Sequence, residues 1–228
     1  MKKPAFYTEL AYILGIIFLP FGTSLMTKAD FGLSMVVAPA YLIHLKLSPV
    51  FSFISFGMAS YLFQAVILVV LSIILKKFKV SYLFSFVTAV IYGFVLDGFV
   101  ALTDRIPADT LVARIALFAV GIVTAAFGIA MFFITYISPE AYDVFVKDLA
   151  AAKGYDVGKT KTAYDFSSLA LCVVLSFCFF GLFEFRGIGI GTAVTACLNG
   201  TLIGLYSRFF KKHFEFKDAL PLRKFFER

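Results

Sequence analysis

The chain has 228 residues, of which 61% are hydrophobic and 15% are charged, and its formal net charge is +7. Ordinary globular domains are about 45–50% apolar and about 25% charged, so a soluble protein of this size could not bury so much apolar side chain. The charges also form short islands between apolar runs of about 20 residues, the length that crosses a hydrocarbon core of roughly 30 Å. These features predict an integral membrane protein and exclude nucleic-acid binding as the meaning of the net charge.

In chain order, the apolar runs predict an all-α integral membrane protein with six transmembrane helices in a single domain, 1–228. The predicted spans are 9–27, 56–75, 81–102, 112–136, 166–184 and 188–209, followed by a short basic tail at 210–228. The first run follows Met1 and two lysines, but its end near Lys28 lacks the small residues of a signal-peptide cleavage site. We therefore expect this run to be an uncleaved span.

The distribution of lysine and arginine predicts that both termini are cytoplasmic. In that orientation 16 basic residues lie inside and 5 lie outside, as the positive-inside rule requires. The outer five are Lys28, Lys46, Arg105, Arg114 and Arg186. The basic run from Arg208 to Lys212 is interpreted as an anchor beside anionic lipid, with a partner-binding segment as the alternative.

Two pairs of similar segments, at offsets of 106 and 107 residues, predict an internal repeat. The pairs are 15–22 with 121–128, and 88–93 with 195–200. Because each half holds three spans, the second half must enter the bilayer from the opposite side, as in many secondary transporters. The predicted inverted halves are about 9–102 and 112–209, and the alternative is an ancient duplication that serves only as a scaffold.

Each half is also predicted to contain a short helix after its first span, either re-entrant or interfacial. Pro39 opens an apolar stretch in the first half, and Pro is favoured at the start of a helix. In the second half Pro139 opens the stretch, Ser138 is predicted to cap the helix, and Glu140 is predicted to face its positive end. Because this second stretch is charged, we expect it to lie at the cytoplasmic surface.

Polar side chains at membrane depth are costly and therefore need a reason. Asp97 in the third span is the clearest acidic case. It is interpreted either as a proton or cation site or as a carboxylate near enough to the outer end to reach water. The other substrate-binding candidates are Gln64, Tyr92, Thr195 and Asn199. We expect these groups to line a cavity where the repeats meet, with helix–helix hydrogen bonds of about 0.6–2 kcal/mol as the alternative role.

Other polar and glycine-rich positions suggest gates and helix ends. The gate candidates are Lys28, Asp30 and Ser34 at the outer end, and Tyr142 and Asp143 at the inner end. Gly32 permits a turn among the outer three, and a plain interfacial loop explains them equally well. Asp165 is predicted to cap the fifth span. The run 187–191 is predicted to be unwound, and Gly200 with Gly204 to form a close-packing helix face.

The sequence gives no sign of an enzyme. It contains no recognisable catalytic or nucleotide-binding motif, its two histidines are isolated, and its three cysteines fall in spans. We therefore predict no catalytic residue, no cofactor and no metal site. The expected partners are the lipid bilayer and a small-molecule solute, without nucleic acid, and a homo-oligomer is left open.

Two segments resemble a known family. Residues 22–34 read GTSLMTKADFGLS, similar to the G-x-x-L-x-x-K-A-x-x-G-x-S segment of the YczE/YyaS/YitT group of bacterial membrane proteins, and 187–204 resembles the last span of that group. Many members carry a Trp-Asp pair after the first serine, whereas Met35 follows Ser34 here and the chain has no Trp. The resemblance implies a bacterial cytoplasmic membrane and a transport role, without a substrate.

The leading hypothesis is a small secondary transporter that moves a small organic solute by alternating access, coupled to an ion or a proton. One alternative is a capture subunit of a larger transport system, which binds a solute but needs a partner to move it. The other is a non-transporting membrane scaffold or accessory protein. Transport by the purified protein alone separates the three.

Overall fold

The structure is a computed structural model that describes residues 3–155, 157–181, 187–221 and 223. Over these residues the chain is helical apart from one two-stranded sheet. The elements are β1 (Ala5–Tyr7), α1 (Thr8–Ala29), α2 (Ala38–Leu47), α3 (Phe56–Leu75), α4 (Val80–Thr103), α5 (Leu111–Phe132), α6 (Ala141–Lys153), α7 (Val157–Phe180), α8 (Ile190–His213) and β2 (Glu215–Lys217). Predicted features at 182–186, including Arg186, and at the end of the tail lie outside the described residues.

Six of the described helices, α1, α3, α4, α5, α7 and α8, are long and apolar enough to cross a membrane. Their outward faces carry large hydrophobic side chains such as Ile73, Phe94 and Val112, which are 69%, 68% and 77% exposed. A helix satisfies its backbone hydrogen bonds internally, so such faces are stable against lipid but not against water. The chain is a multi-pass helical membrane protein, as predicted.

Several predicted span boundaries are wrong by four residues or more, including the end of α7 at Phe180 and the end of α8 at His213. The helix of the fifth span, α7, begins at Val157 rather than at 166, so Asp165 lies inside it and does not cap it. Lys161 Nζ contacts Asp165 Oδ1 at 2.8 Å one turn away, so the charged stretch that looked like a loop is accommodated as helix. At the fourth span α5 ends at Phe132 rather than at 136, because an apolar run does not mark where a helix stops.

The antiparallel helices α1 and α5 form the centre of the bundle. Their backbones touch where glycines face each other. A Cβ added to Gly22 would overlap the backbone of Gly121 and Ala125, and one added to Gly121 would lie 2.9 Å from Gly22 O. Around this crossing α1 also packs against α4, and α5 packs against α8. Both glycines are therefore needed for the spacing of the two central helices.

Contacts at the two ends of the bundle show which helix ends lie on the same side. At one end β1 pairs in parallel with β2, with Ala5 opposite Glu215, so the segments before α1 and after α8 lie together. At the other end Lys28 Nζ donates to Asp104 O at 3.0 Å, which joins the end of α1 to the end of α4. This arrangement fits an even number of spans.

The short helix α6 begins inside the bundle rather than at its surface. Ala141 N donates to Gln64 Oε1 at 3.0 Å, and Gln64 lies roughly 12 Å along α3 from its first residue. Thr88 Oγ1, within α4, donates to Ser138 O at 2.9 Å. The charged stretch therefore starts beside the middle of α3 and within reach of α4, where these polar partners satisfy its backbone.

The end of α6 lies near the start of α4, and the starts of α6 and α2 differ in how well they were predicted. Asp148 pairs with Lys79 at 2.7 Å beside the first turn of α4, so α6 runs outward from the interior. The predicted cap at Ser138 is wrong by two residues, since the N-cap is Glu140 and its side chain makes no capping hydrogen bond. In α2 the expected proline, Pro39, does lie in the first turn.

Candidate functional site

A cavity of about 400 Å³ lies between α1, α5, α6, α7 and α8, and it also contacts the segment just before α2. We term it the central cavity. This volume falls in the range of roughly 300–1,000 Å³ found for small-molecule sites. Much of its wall is apolar, formed by residues such as Leu19, Met26, Ile129, Phe132, Phe166 and Ile203. Such a wall suits the carbon skeleton of a small organic molecule.

Charged side chains line the same cavity in unequal numbers. Three carboxyl groups, those of Glu140, Asp143 and Asp165, face one ammonium group, that of Lys161. Lys161 is already paired with Asp165 at 2.8 Å. The central cavity is therefore acidic overall, and its negative charge comes from the start of α6.

Glu140 is the most unusual of these groups because it is only 6% exposed. Its Oε1 atom has no hydrogen-bond partner among the described residues. Burial, together with repulsion from Asp143, raises the pKa of Glu140 to about 8. Gln64 lies nearby and opposes this rise, although its Nε2 atom is also without a partner in hydrogen-bond geometry. The carboxyl group is thus placed to exchange a proton near neutral pH.

Two more buried polar atoms on the cavity wall lack partners in the described part of the chain. They are Oδ1 of Asn199 and the hydroxyl of Tyr142, which lies near the Ser60 hydroxyl without a hydrogen bond of good geometry. Leaving a buried polar group unpaired costs about 1–3 kcal/mol, so three such atoms around one cavity need an explanation. A ligand that supplies the missing hydrogen bonds provides one.

Asp143 is the second carboxyl group that α6 contributes to the cavity wall. Its side chain is partly buried, and burial raises its pKa above the ordinary value while Lys161 and Lys147 oppose the rise. Its charge is therefore partly balanced by neighbouring lysines, in contrast to that of Glu140.

The structure brings two of the five substrate-binding candidates, Thr195 and Asn199, to the central cavity. Gln64 and Tyr92 lie behind its wall instead. Gln64 holds the first residue of α6, and the Tyr92 hydroxyl donates to Thr23 Oγ1, on the cavity wall, at 3.3 Å. The expected symmetric pair of Tyr92 and Asn199 is not formed, because α4 is packed closely in its half whereas α8 faces the cavity.

Asp97, in α4, contacts the start of α3 and lies away from the residues that line the central cavity. Its carboxylate accepts a hydrogen bond from Ser55 Oγ at 2.5 Å and another from Gly57 N at 2.7 Å. Ser55 in turn caps α3 by accepting from Met58 N. These contacts give Asp97 a structural role at a helix N-terminus, where a negative charge is favourable.

Some of the gate candidates line the central cavity and others do not. Ser34, Tyr142 and Asp143 line the central cavity. Lys28 and Asp30 have other partners in the described structure: Lys28 reaches the end of α4, and Asp30 forms a salt bridge of 3.5 Å with Arg114 at the start of α5. The outer pair therefore ties loops together, as the interfacial-loop alternative expects.

The run 187–191 is unwound only over 187–189, since Ile190 and Gly191 already belong to α8. Gly191 N donates to Phe31 O at 2.8 Å, which joins this segment to the loop after α1 and not to the central cavity. Gly32 in that loop has a positive φ of 104°, as its turn requires. The predicted close-packing face is wrong within the described residues, because a Cβ on Gly200 would meet nothing within 4 Å.

Sequence reasoning did not place Glu140, Lys161 or Asp165 in a site. Lys161 lies outside the predicted spans and Asp165 was predicted to cap the fifth, although their spacing of four residues before an apolar run also fits a helix. For Glu140 the available signal was the proline that precedes a short helix in each half. In transporters, hydrophobic segments interrupted by Gly or Pro at corresponding positions of the two halves point to the binding site.

These features define the class: a helical membrane protein with an acidic, partly apolar internal cavity. The chain belongs to a family of unknown function, DUF6198, whose model matches residues 6–208. It is also similar to the uncharacterized protein YyaS of Bacillus subtilis (strain 168), with 26% identity over 211 residues that cover 91% of this chain and 96% of that protein. The expected resemblance to YyaS-like proteins is thereby confirmed. No solved structure matches the chain.

Proposed function

We propose that the protein is a small secondary transporter that moves a small organic solute across the bacterial cytoplasmic membrane by alternating access, coupled to a proton or another ion. The observation that carries this proposal is the central cavity, with its three unpartnered polar atoms, inside a protein with six candidate spans. A scaffold has no need to keep unsatisfied polar groups at a buried cavity, whereas a carrier must bind its solute there.

The packing of the helices supports two inverted repeats over 9–102 and 112–209. If α1–α4 correspond to α5–α8, each packing pair should have a counterpart. The pair of α1 with α4 corresponds to α5 with α8, α2 with α3 corresponds to α6 with α7, and α2 with α7 corresponds to α6 with α3. These three pairs and their counterparts occur, whereas the packing of α4 against α3 and against α6 has no counterpart of similar extent around α8 in the described residues.

The central crossing supports the same correspondence at the level of single residues. Contacts between α1 and α5 come in exchanged pairs at the offset of 106 residues. These are Gly15 with Phe132 and Gly121 with Met26, and likewise Gly22 with Ala125 and Gly128 with Leu19. Such an antiparallel crossing has a pseudo-two-fold axis perpendicular to both helices. For two spanning helices that axis lies in the membrane plane, as inverted repeats require.

Both short helices direct their first residues toward the central cavity. Val37, the N-cap of α2, and Glu140, the N-cap of α6, belong to its lining. Discontinuous helices that begin at the repeat interface form substrate sites in transporters. This placement supports a re-entrant position for α2 and α6.

The two halves differ in a way that alternating access would use. In the first half α3 and α4 are closely packed, since a Cβ on Gly57 would overlap the carbonyl of Gly93. The counterpart of Gly93 is Gly200 in α8, which has open space beside it in the described structure. In the proposed cycle α7 closes on α8 while α3 separates from α4, so the halves exchange their conformations.

The test uses purified protein in liposomes without any partner subunit. Vesicles are incubated with a defined mixture of amines, amino acids, sugars and carboxylates under an imposed proton gradient, and the trapped solutes are measured by mass spectrometry. We expect enrichment of a solute over protein-free vesicles, and loss of this enrichment when an ionophore removes the gradient. A thermal-shift screen of the same compounds identifies binders beforehand, because a ligand stabilises the folded state.

Two variants of α8 provide the matched comparison. Asn199→Ala alters the central cavity and should weaken solute binding without changing its pH dependence, whereas Thr201→Ala alters an exposed position on the same helix and should change neither. Binding without uptake would indicate a capture subunit in place of a transporter. Neither binding nor uptake would indicate a scaffold.

A further inference from the structure

We infer that the solute is a small organic cation, an ammonium or guanidinium group on an apolar body, and that Glu140 in the central cavity binds its charge. The inference rests on the proposed transporter for its physiological meaning. Its chemistry is nevertheless a statement about binding, which can be tested whether or not the protein transports anything.

The first argument is that the ionised form of Glu140 has no cationic partner among the described side chains. Asp165 has Lys161 at 2.8 Å, and Asp143 lies in the field of Lys161 and Lys147. The charged neighbour that acts most strongly on Glu140 is Asp143, another acid. A cationic ligand would give Glu140 the partner that the described side chains do not provide.

The second argument is the kind of polar atom that remains unpaired. Glu140 Oε1 and Asn199 Oδ1 are acceptors, and the Tyr142 hydroxyl can accept as well as donate. An ammonium or guanidinium group carries several donors and no acceptor, so it matches this set. An anion would meet two acidic side chains and a lysine that is already paired.

The third argument excludes a bare metal ion as the main cargo. Hard cations such as Ca²⁺ and Mg²⁺ require about six or more oxygen ligands. The wall of the central cavity is instead rich in apolar side chains such as Met26, Ile129 and Phe132. Aromatic faces also attract organic cations, and Phe132 and Phe166 both belong to the lining.

The positive end of α6 does not reverse this preference. A helix N-terminus favours negative charge, so by itself it would suit an anionic ligand. Here Glu140 occupies the N-cap position, so its own carboxyl group supplies that negative charge once it has lost its proton. What the ligand meets is the carboxyl group.

Cation binding should be linked to proton release. Burial raises the pKa of Glu140 to about 8, so near pH 7 the group is mostly protonated, and a cation must displace that proton. Binding is then full above pH 8 and weakens as the pH falls below it, by about tenfold per pH unit. One cation bound for one proton released makes the exchange electroneutral.

Other titratable groups face Glu140 from each helix packed around it. They are Asp143 and Tyr142 of α6, Tyr12 of α1, Tyr92 of α4 and Tyr164 of α7. Tyrosine ordinarily titrates near pH 10, so we assign the proton exchange near pH 8 to Glu140.

The experiment is calorimetry on the full-length chain in detergent between pH 6 and 9, in buffers of different ionisation enthalpy. The probes are butylammonium, cyclohexylammonium and butylguanidinium, compared with butyramide and cyclohexanecarboxamide as neutral analogues and butyrate as the anion. We expect at least one cation to bind, with about one proton released per cation at pH 7 and almost none at pH 9. This measurement needs no variant and so does not depend on a variant's folding.

A matched pair of variants then locates the effect. Glu140→Gln should lower cation affinity at pH 8.5 at least about 100-fold and abolish proton release, whereas Asp109→Asn, at an exposed position, should change neither. The inference is overturned if none of the three cations binds, if an amide or butyrate binds as tightly, or if Glu140→Gln keeps the proton release.

The outcome for transport is scored separately in vesicles. Cation binding without uptake leaves the assigned ligand standing and rejects the transporter. Uptake of a neutral or anionic solute, without cation binding, keeps the transporter and rejects the assigned ligand. The two proposals therefore fail in distinguishable ways.

Discussion

Asp97 and Glu140 are both acidic residues among apolar neighbours, but their surroundings differ. The Asp97 carboxylate accepts hydrogen bonds from Ser55 Oγ and Gly57 N, which hold the start of α3. Glu140 has an unpartnered oxygen on the wall of a cavity. Satisfied hydrogen bonds stabilise a fold, whereas an unsatisfied buried carboxyl is a cost that function can explain.

Replacing Asp97 tests this distinction. In Asp97→Asn the new amide keeps one acceptor oxygen, so one of the two hydrogen bonds to α3 is lost or met by another donor. We expect the free energy of unfolding to fall by about 1–3 kcal/mol, measured by denaturation in detergent, while solute binding keeps its pH dependence. Asp109→Asn, in an exposed loop, should change stability by less than about 0.5 kcal/mol.

The opposite result would restore the prediction made from sequence. If Asp97→Asn unfolds like the parent but loses the pH dependence of transport, Asp97 is a coupling site.

At the scale of elements, the crossing of α1 and α5 sets the distance between the two halves. Gly22 and Gly121 allow contact between the backbones at that point. In lipid there is little hydrophobic drive between helices, so close packing at small residues provides much of the attraction.

Gly22→Ala should therefore destabilise the protein. Its Cβ would overlap backbone atoms of Gly121 and Ala125, which cannot move aside as a flexible side chain could, and overpacking costs about 1–3 kcal/mol. Thermal unfolding in detergent measures the effect. The control is Gly98→Ala in α4, where a Cβ would meet nothing within 4 Å among the described residues.

The control variant should not lose stability. Alanine is favoured over glycine in a helix by up to about 1 kcal/mol, so Gly98→Ala should leave stability unchanged or raise it. Equal stability of Gly22→Ala and the parent would show that α1 and α5 do not cross as closely as described.

At the scale of the whole molecule, we propose that both termini face the cytoplasm. The parallel pairing of β1 with β2 places the two ends of the described chain on one side. The basic residues Lys76, Lys77 and Lys79 follow α3, and Tyr12 near the start of α1 contacts Thr88 in α4 at 3.0 Å, which places the loop between α3 and α4 at the same end. The positive-inside rule then assigns this end to the cytoplasm.

Cysteine labelling in intact cells tests the orientation. After replacement of Cys172, Cys178 and Cys197, single cysteines at Lys77 and Lys159 should be shielded from an impermeant maleimide. A cysteine at Asp104 should react. Labelling after permeabilisation is the control for accessibility. Reaction of the Lys159 position from outside would exclude the six-span arrangement.

The sequence by itself determined the class of protein and the positions of the spans to within a few residues at most ends. It could do so because a bilayer demands long apolar runs wherever it is crossed, which makes hydropathy a local signal. The predicted start of α7 was wrong because Lys161 and Asp165 form an ion pair one helical turn apart, whereas a hydropathy pattern counts each of them as an isolated charge.

The site depended on tertiary structure. Of the predicted substrate-binding residues, Thr195 and Asn199 line the central cavity, whereas Gln64 and Tyr92 lie behind its wall. Glu140 was expected at the membrane surface because its stretch is charged. Only the fold shows that the chain turns back and begins α6 beside the middle of α3. The depth of a polar side chain follows from such long-range packing, which residue type and local pattern do not encode.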